Sequence, residues 1–443
     1  MTGDRQATEF LAATWTPWSM TARDMLDLNQ LPYLTSDVPG IGGTLRTRRE
    51  DFVVDEVPLY EPCGQGTHVY FRIRKIGIPT LKAVHEIARA LGVPSREIGF
   101  AGMKDADAVT TQTLSIEHVD PGRIESLAVP RIQILGVARH GNKLKRGHLA
   151  GNRFTIKLRG VDGGRIGDLQ KLLEVLGRRG VPNYFGPQRF GVRGDTWQIG
   201  LAMLRGDYPE VVACMLGRPG PHDHGEAQRA RELFDKGDYA AAADTWPYLF
   251  ANERRVCRAM VKENGRAHRA FRALDRSIQE LFLCAYQSYL FNQIVARRLG
   301  SLDCLMLGDL AWRHPQGAVF RIDDVGREQS RCDVFEISPT GPLFGRRMSS
   351  PTGTPGEQEA ALLAETGLAP EAWQEGEGRK VTGGRRPLRF RPHEAAVEAG
   401  RDEAGDYLEL RFRLESGCYA TAVLREICKH DPGTSSGMEE END

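Results

Sequence analysis

RFTIKLRG, Arg153 to Gly160, alternates without a break: Phe154, Ile156 and Leu158 point one way, and Arg153, Thr155, Lys157 and Arg159 the other. A period of two is the signature of a β-strand with one face in a core and one in water. Such a strand cannot bury its apolar face alone, so it needs partner strands and a covering layer of helices. The chain offers both. YLELRFRL (Tyr407 to Leu414) repeats the pattern far downstream. Upstream, LRTRREDFVVDEV (Leu45 to Val57) and HVYFRIR (His68 to Arg74) are rich in β-branched and aromatic residues and read as strands. Helices are expected at PTLKAVHEIARALG, with Leu81, Val84, Ala88 and Leu91 on one face and Gly92 at its end, and at GRIGDLQKLLEVLG, ending at Gly177. A further helix is expected from about Cys418 to Lys429.

Beyond about Asp207 the texture changes to amphipathic helices broken by LGRPGPHDHGE (Leu216 to Glu226) and SSPTGTPGE (Ser349 to Glu357). Strands at both ends with a helical middle predict an α+β domain interrupted by an insertion. The expected division is an extension of uncertain order over 1–30, a first part of the main domain over 31–208, a mainly helical insertion over 209–380, a second part over 381–430, and a disordered acidic tail over 431–443.

Composition narrows the classes. The 443 residues include 40% hydrophobic and 27% charged, with no apolar run near the roughly 20 residues a membrane span needs and no signal-peptide pattern, so a cytoplasmic location is expected. The eight cysteines are scattered, the nearest two ten positions apart, which predicts free thiols and no zinc-ribbon spacing. Formal net charge is zero, but it is unevenly spread. Arg139 to Arg193 carries thirteen basic residues against three acids, and RKVTGGRRPLRFR (379–391) carries six against none. Two such stretches suggest a localised footprint for a polyanion.

Familiar chemical signatures are missing: there is no GxxxxGK[ST], HExxH or GxSxG, GIGG at 40–43 is too short for a dinucleotide fingerprint, and His222 and His224 lack a third metal ligand nearby. The aromatic and amide residues of YQSYLFNQ (Tyr286 to Gln293) have helical spacing and read as core. Two segments remain. VPNYFGPQRFG interleaves aromatics with Asn183, Gln188 and Arg189, the composition of a base-stacking platform or equally of an Ω-loop. GFAGMKDADAVTTQ (Gly99 to Gln112) places Asp105 and Asp107 in a turn before a polar run, and nothing local selects either as a chemical group. The residues alone therefore indicate a nucleic-acid-binding α+β protein with a possible carboxylate site.

The segments EDFVVDE, GFAGMKDADAVTTQ, NKLKRGHLAGNRF, VPNYFGPQRFG, AYQSYLFNQ, EISPTGPLFG and SGCYATAVLRE, in this order from about Leu31 to Lys429, resemble the TruD family of tRNA pseudouridine synthases. The resemblance implies a pseudouridine-synthase catalytic domain with a mixed, largely antiparallel sheet, and conversion of uridine to pseudouridine in tRNA at position 13 as in bacterial members. It implies no metal and no cofactor, tRNA as partner, no membrane, no required protein partner and a monomer. It makes Asp105 catalytic and Asp107 a bystander. Phe185 stacks on the flipped base, Asn183 orients the carboxylate, and Phe52 contacts the base or walls the pocket. Arg425 is the expected cation beside Asp105, favouring its ionised form. Lys104, Lys143, Lys145, Arg146, Arg153 and Arg189 are the expected RNA contacts. The alternatives are an RNA-binding or tRNA-chaperone protein whose catalysis is dispensable, and an RNA methyltransferase, which would need a glycine-rich nucleotide loop that the sequence lacks.

Overall fold

The computed structural model describes residues 27–373 and 381–430, so the expected acidic tail and most of the N-terminal extension lie outside the described residues. The strands are β1 (Phe52–Pro58), β2 (His68–Ile76), β3 (Gly99–Phe100), β4 (Val109–Glu117), β5 (Ile132–His140), β6 (Leu149–Arg159), β7 (Val181–Pro182), β8 (Leu310–Arg313), β9 (Ala318–Arg321), β10 (Ile337–Leu343), β11 (Gly384–Pro387), β12 (Arg389–Phe390), β13 (His393–Asp402) and β14 (Gly405–Glu415). The main sheet runs β13-β14-β6-β1-β4-β2-β5, with β3 paired to β4. It is mixed and largely antiparallel, since only β1 and β4 run parallel.

The alternating stretch at Arg153 lies in β6, between β1 and β14. Ile156 faces Phe52 on one side and Leu410 on the other. Its apolar row is covered by the helices Ile166–Arg179 and Ala420–Cys428, and Ile156, Leu158 and Leu410 have no exposed surface. Each such side chain contributes about 1.5–3 kcal/mol by leaving water. The first of these helices continues through Gly177 and stops at Gly180, whose φ of 91° suits glycine. Its leucines set the buried face, whereas a Cβ added at Gly177 would meet nothing within 4 Å, so that position imposes no stop. Helix Thr80–Leu91 covers a second apolar patch, built from Val69, Phe71, Ile73, Leu114 and Ile116.

By register both patches lie on one face of the sheet, and between them runs a seam of buried polar side chains. Lys75 aligns with Thr110 and Thr110 with Val54, while Glu56 aligns with Asn152 and Ile73 with Gln112. Lys75, Thr110, Gln112 and Glu56 are all buried. A core seam of this kind costs stability unless every group is paired, so it marks where the sheet serves something other than packing.

A helix from before the expected insertion packs on one within it. Thr196–Arg205 crosses Arg276–Arg297 so closely that a Cβ on Gly200 would stand 2.2 Å from the Phe282 carbonyl oxygen. A second, four-stranded antiparallel sheet, β11-β10-β8-β9, joins strands on both sides of the expected boundary at residue 380, and alternation of the short segments did not reveal it beforehand. The chain returns beside its point of departure: β12 pairs with β7, aligning Phe390 with Val181. This pairing fastens the NYF loop to the RRPLRF segment.

Candidate active site

The turn between β3 and β4 carries Asp105, whose side chain is about half exposed. Arg46 Nη2 donates to Asp105 Oδ2 at 2.9 Å, leaving Oδ1 out of that bond. The Arg46 guanidinium also lies 4.4 Å from the centroid of Phe52, which is 3% exposed and meets Phe154 edge-on. Phe52 thus backs the Arg46 guanidinium that grips Asp105. Asp107 pairs instead with Arg49 at 3.4 Å.

The turn is anchored from beneath. Thr80 Oγ1 accepts from the Lys104 amide at 2.8 Å and donates to Gln112 Oε1 at 2.9 Å. Lys75 Nζ donates to the Asp105 carbonyl at 2.8 Å and the Ile78 carbonyl at 2.6 Å. Lys104 does not reach toward solvent as an RNA contact would. Its ammonium is buried, 3.0 Å from Glu56 Oε2 and donating to Asn152 Oδ1 at 2.7 Å. Breaking a buried pair of this kind costs about 3–5 kcal/mol, so Lys104 fixes the turn rather than a phosphate.

The NYF loop forms a second cluster. Phe185 is held through its main chain by Asn292, which accepts from the Phe185 amide at 2.8 Å and donates to its carbonyl at 3.0 Å. The buried amides of YQSYLFNQ thereby acquire a purpose beyond packing. Around the ring stand Arg386 at 4.5 Å, Arg189 at 5.2 Å, Phe291 edge-on and Tyr419. Phe185 is 5% exposed, so a base can stack on it only after one of these side chains moves. Burial pushes the Arg386 guanidinium below its usual pKa.

Asn183 does not orient the carboxylate here. Its Nδ2 donates to the Pro387 carbonyl at 2.8 Å and its Oδ1 accepts from Arg386 Nη2, so it positions Arg386. Arg425 is likewise placed elsewhere, stacked 3.9 Å from the Tyr33 ring and donating to the carbonyls of Leu31 and Pro32. It ties the C-terminal helix to the start of the domain, and Arg46 supplies the cation at Asp105. Tyr184 points away into the core, its hydroxyl 3.4 Å from the Pro32 carbonyl, and burial raises its pKa.

The described residues of the two basic stretches differ in exposure. Lys145 and Arg146 are exposed, with Arg146 5.3 Å from the Phe100 ring, and Lys143 donates to the Arg96 carbonyl at 2.8 Å. Arg153 is exposed but paired with Glu394 at 3.0 Å, and Lys157 and Arg159 pair with Asp402. The RRPLRFR run is mostly internal: Arg385 pairs with buried Glu359, and fully buried Arg389 donates to the carbonyls of Arg179 and Cys332. That run is therefore not a surface footprint. Arg46, Lys75 and Arg386 were missed by sequence reasoning. LRTRRED did show a basic cluster before Phe52, and Arg386 lies in the basic run 379–391, but Lys75 gave no local signal and neither its role nor that of Arg386 could be read without the strand pairing.

All eight cysteines are free, His222 and His224 are exposed, and no cluster of three or more potential metal ligands occurs among the described residues. No helix among the described residues is long and apolar enough to cross a membrane. Residues 28–427 match the family model for tRNA pseudouridine synthase D (TruD). The chain is 46% identical to the tRNA pseudouridine synthase D of Geobacter metallireducens, over 90% of this chain and 97% of that one. It is 43% identical to the protein of the same name from Geobacter sulfurreducens, over 91% and 98%. A crystal structure of the putative tRNA pseudouridine synthase D from Methanosarcina mazei superposes with a TM-score of 0.81 at 29% identity, over 91% of this chain and 97% of that one. With its fold, its motifs and nearly its whole length in common with these proteins, the chain belongs to the tRNA pseudouridine synthase D (TruD) family.

Proposed function

We propose that this protein isomerises uridine to pseudouridine in tRNA, at position 13, with Asp105 as the catalytic carboxylate. The observation that carries this reading is the half-exposed Asp105 carboxylate, gripped through one oxygen by Arg46 on a turn anchored by buried side chains. The reaction breaks the C1′–N1 bond, turns the retained uracil and joins C5 to C1′; C5 loses its proton and the freed N1 takes one up, so the product has the composition of the substrate. Such chemistry needs a fixed carboxylate, a walled pocket and a base taken from its stack. Arg46 and Lys75 serve the first requirement and Phe52 the second. Flipping the base costs a few kcal/mol, which stacking on Phe185 offsets once the covering guanidinium moves aside. Exposed Lys145 and Arg146, with Lys143 and Arg153, are placed to meet phosphates.

Digestion of an unmodified tRNA transcript to nucleosides after incubation, with mapping of the modified site, tests the reading. The intact protein is expected to yield one pseudouridine, at position 13. Asp105→Asn is expected to bind the transcript equally well and yield none. A binding protein with dispensable catalysis would give no product from either.

A further inference from the structure

We propose that Lys75 is a positioning residue for this reaction: its ammonium clamps the main chain of the turn that bears Asp105 and sets a positive charge near the carboxylate in addition to that of Arg46. The inference rests on Asp105 being the catalytic group.

Lys75 lies in β2 with no exposed surface. A buried ammonium is costly, and it ordinarily persists only beside a carboxylate that neutralises it. Here the partners are main-chain carbonyls: Ile78 at 2.6 Å, Asp105 at 2.8 Å and, more distantly, Lys104 at 3.5 Å. Two of these three belong to the catalytic turn. Ile78 begins the loop leading to Thr80, which holds the same turn through the Lys104 amide. A neutral side chain would pack this site at lower electrostatic cost, so the charge itself is what the position provides.

The charged groups around Lys75 are few. The turn presents Asp105, already paired with Arg46, and Lys104, already paired with Glu56. Past Gly77 lie Arg49, engaged with Asp107, and Arg131, which donates to the Gly77 carbonyl at 3.3 Å. The covering helix offers the neutral Thr80. Burial pushes the Lys75 ammonium down to about 8, partly opposed by attraction to Asp105 and reinforced by repulsion from Lys104. The proton that keeps the clamp charged is therefore lost as the pH rises through the weakly alkaline range.

The test compares kcat/KM for tRNA between pH 7 and 9.5 in the intact protein, Lys75→Arg and Lys75→Met. The uracil N3 proton and surface lysines titrate in all three, so the informative quantity is the ratio of intact protein to Lys75→Arg, whose guanidinium stays charged. This ratio is expected to fall roughly tenfold from pH 7.5 to 9.5 as the lysine deprotonates. Lys75→Met is expected to lose at least about tenfold in kcat, with little change in KM, and to show no such limb. A pH-independent ratio, or full kcat in Lys75→Met, would overturn the proposal. If Lys75→Met folds poorly, the ratio of intact protein to Lys75→Arg still decides. Absence of product from the intact protein at any pH would instead count against the isomerase reading.

Discussion

Arg46 and Arg425 show how a charge is assigned its task at the scale of a residue. Both are cations beside aromatic rings, but Arg46 ends on the carboxylate of Asp105, whereas Arg425 ends on main-chain carbonyls near Tyr33. A charge-assisted hydrogen bond contributes about 1.5–3 kcal/mol. Arg46→Ala is accordingly expected to lower kcat by roughly 10- to 100-fold while leaving tRNA affinity near that of the intact protein. Arg425→Ala is expected to lower the melting temperature and leave kcat in the surviving folded protein nearly unchanged. Steady-state kinetics beside thermal melts separates the two, and the opposite pattern would return the cation role to Arg425. Asp105, Phe52 and Phe185 could be named before the fold was known because they sit in motifs. Asn183 could be named but not given its partner, since Arg386 lies more than two hundred positions away and meets it only through the pairing of β7 with β12.

Elements were legible where periodicity had one interpretation. The alternation at Arg153 and at Tyr407 identified two strands that prove to be neighbours over their whole length, and Gly92 ended its helix as expected. The short strands of the second sheet were not legible, because four to seven residues carry little alternation. Two expectations belong to this scale. Gly200 lets two helices touch, so Gly200→Val is expected to destabilise the protein by about 1–3 kcal/mol in urea unfolding, through overpacking against Phe282. The hairpin β13–β14 should respond to acid. Arg159 and then Lys157 hold the Asp402 carboxyl well below the usual range, and His314 and His393 do the same for Glu415. A carboxyl whose folded pKa is depressed stabilises the fold above its unfolded value, near 4, and that contribution is lost as the pH falls through the folded value. Unfolding midpoints should therefore drop below about pH 4, and less steeply in Asp402→Asn than in the intact protein.

For the whole molecule, zero net charge is reconciled with RNA binding by how the basic residues are distributed. Pairing and burial remove Arg159, Arg385 and Arg389 from the surface potential, while Lys145 and Arg146 stay exposed. Sequence charge counts could not make this distinction, because the neutralising acids Asp51, Asp402 and Glu359 lie far along the chain. Lys145→Ala is expected to reduce the slope of log affinity for tRNA against log salt by about 0.7–0.9, whereas Arg385→Ala should leave the slope and lower stability. Equal slopes in the two variants would contradict this division of labour.

All of these roles converge on the carboxylate that Arg46 grips. Release of tritium from tRNA labelled at C5 of uridine, measured for the intact protein and for Asp105→Ala, tests that role most directly. Release by the intact protein and none by the variant is the expected result. Equal release by both would contradict Asp105 as the group that carries the isomerisation.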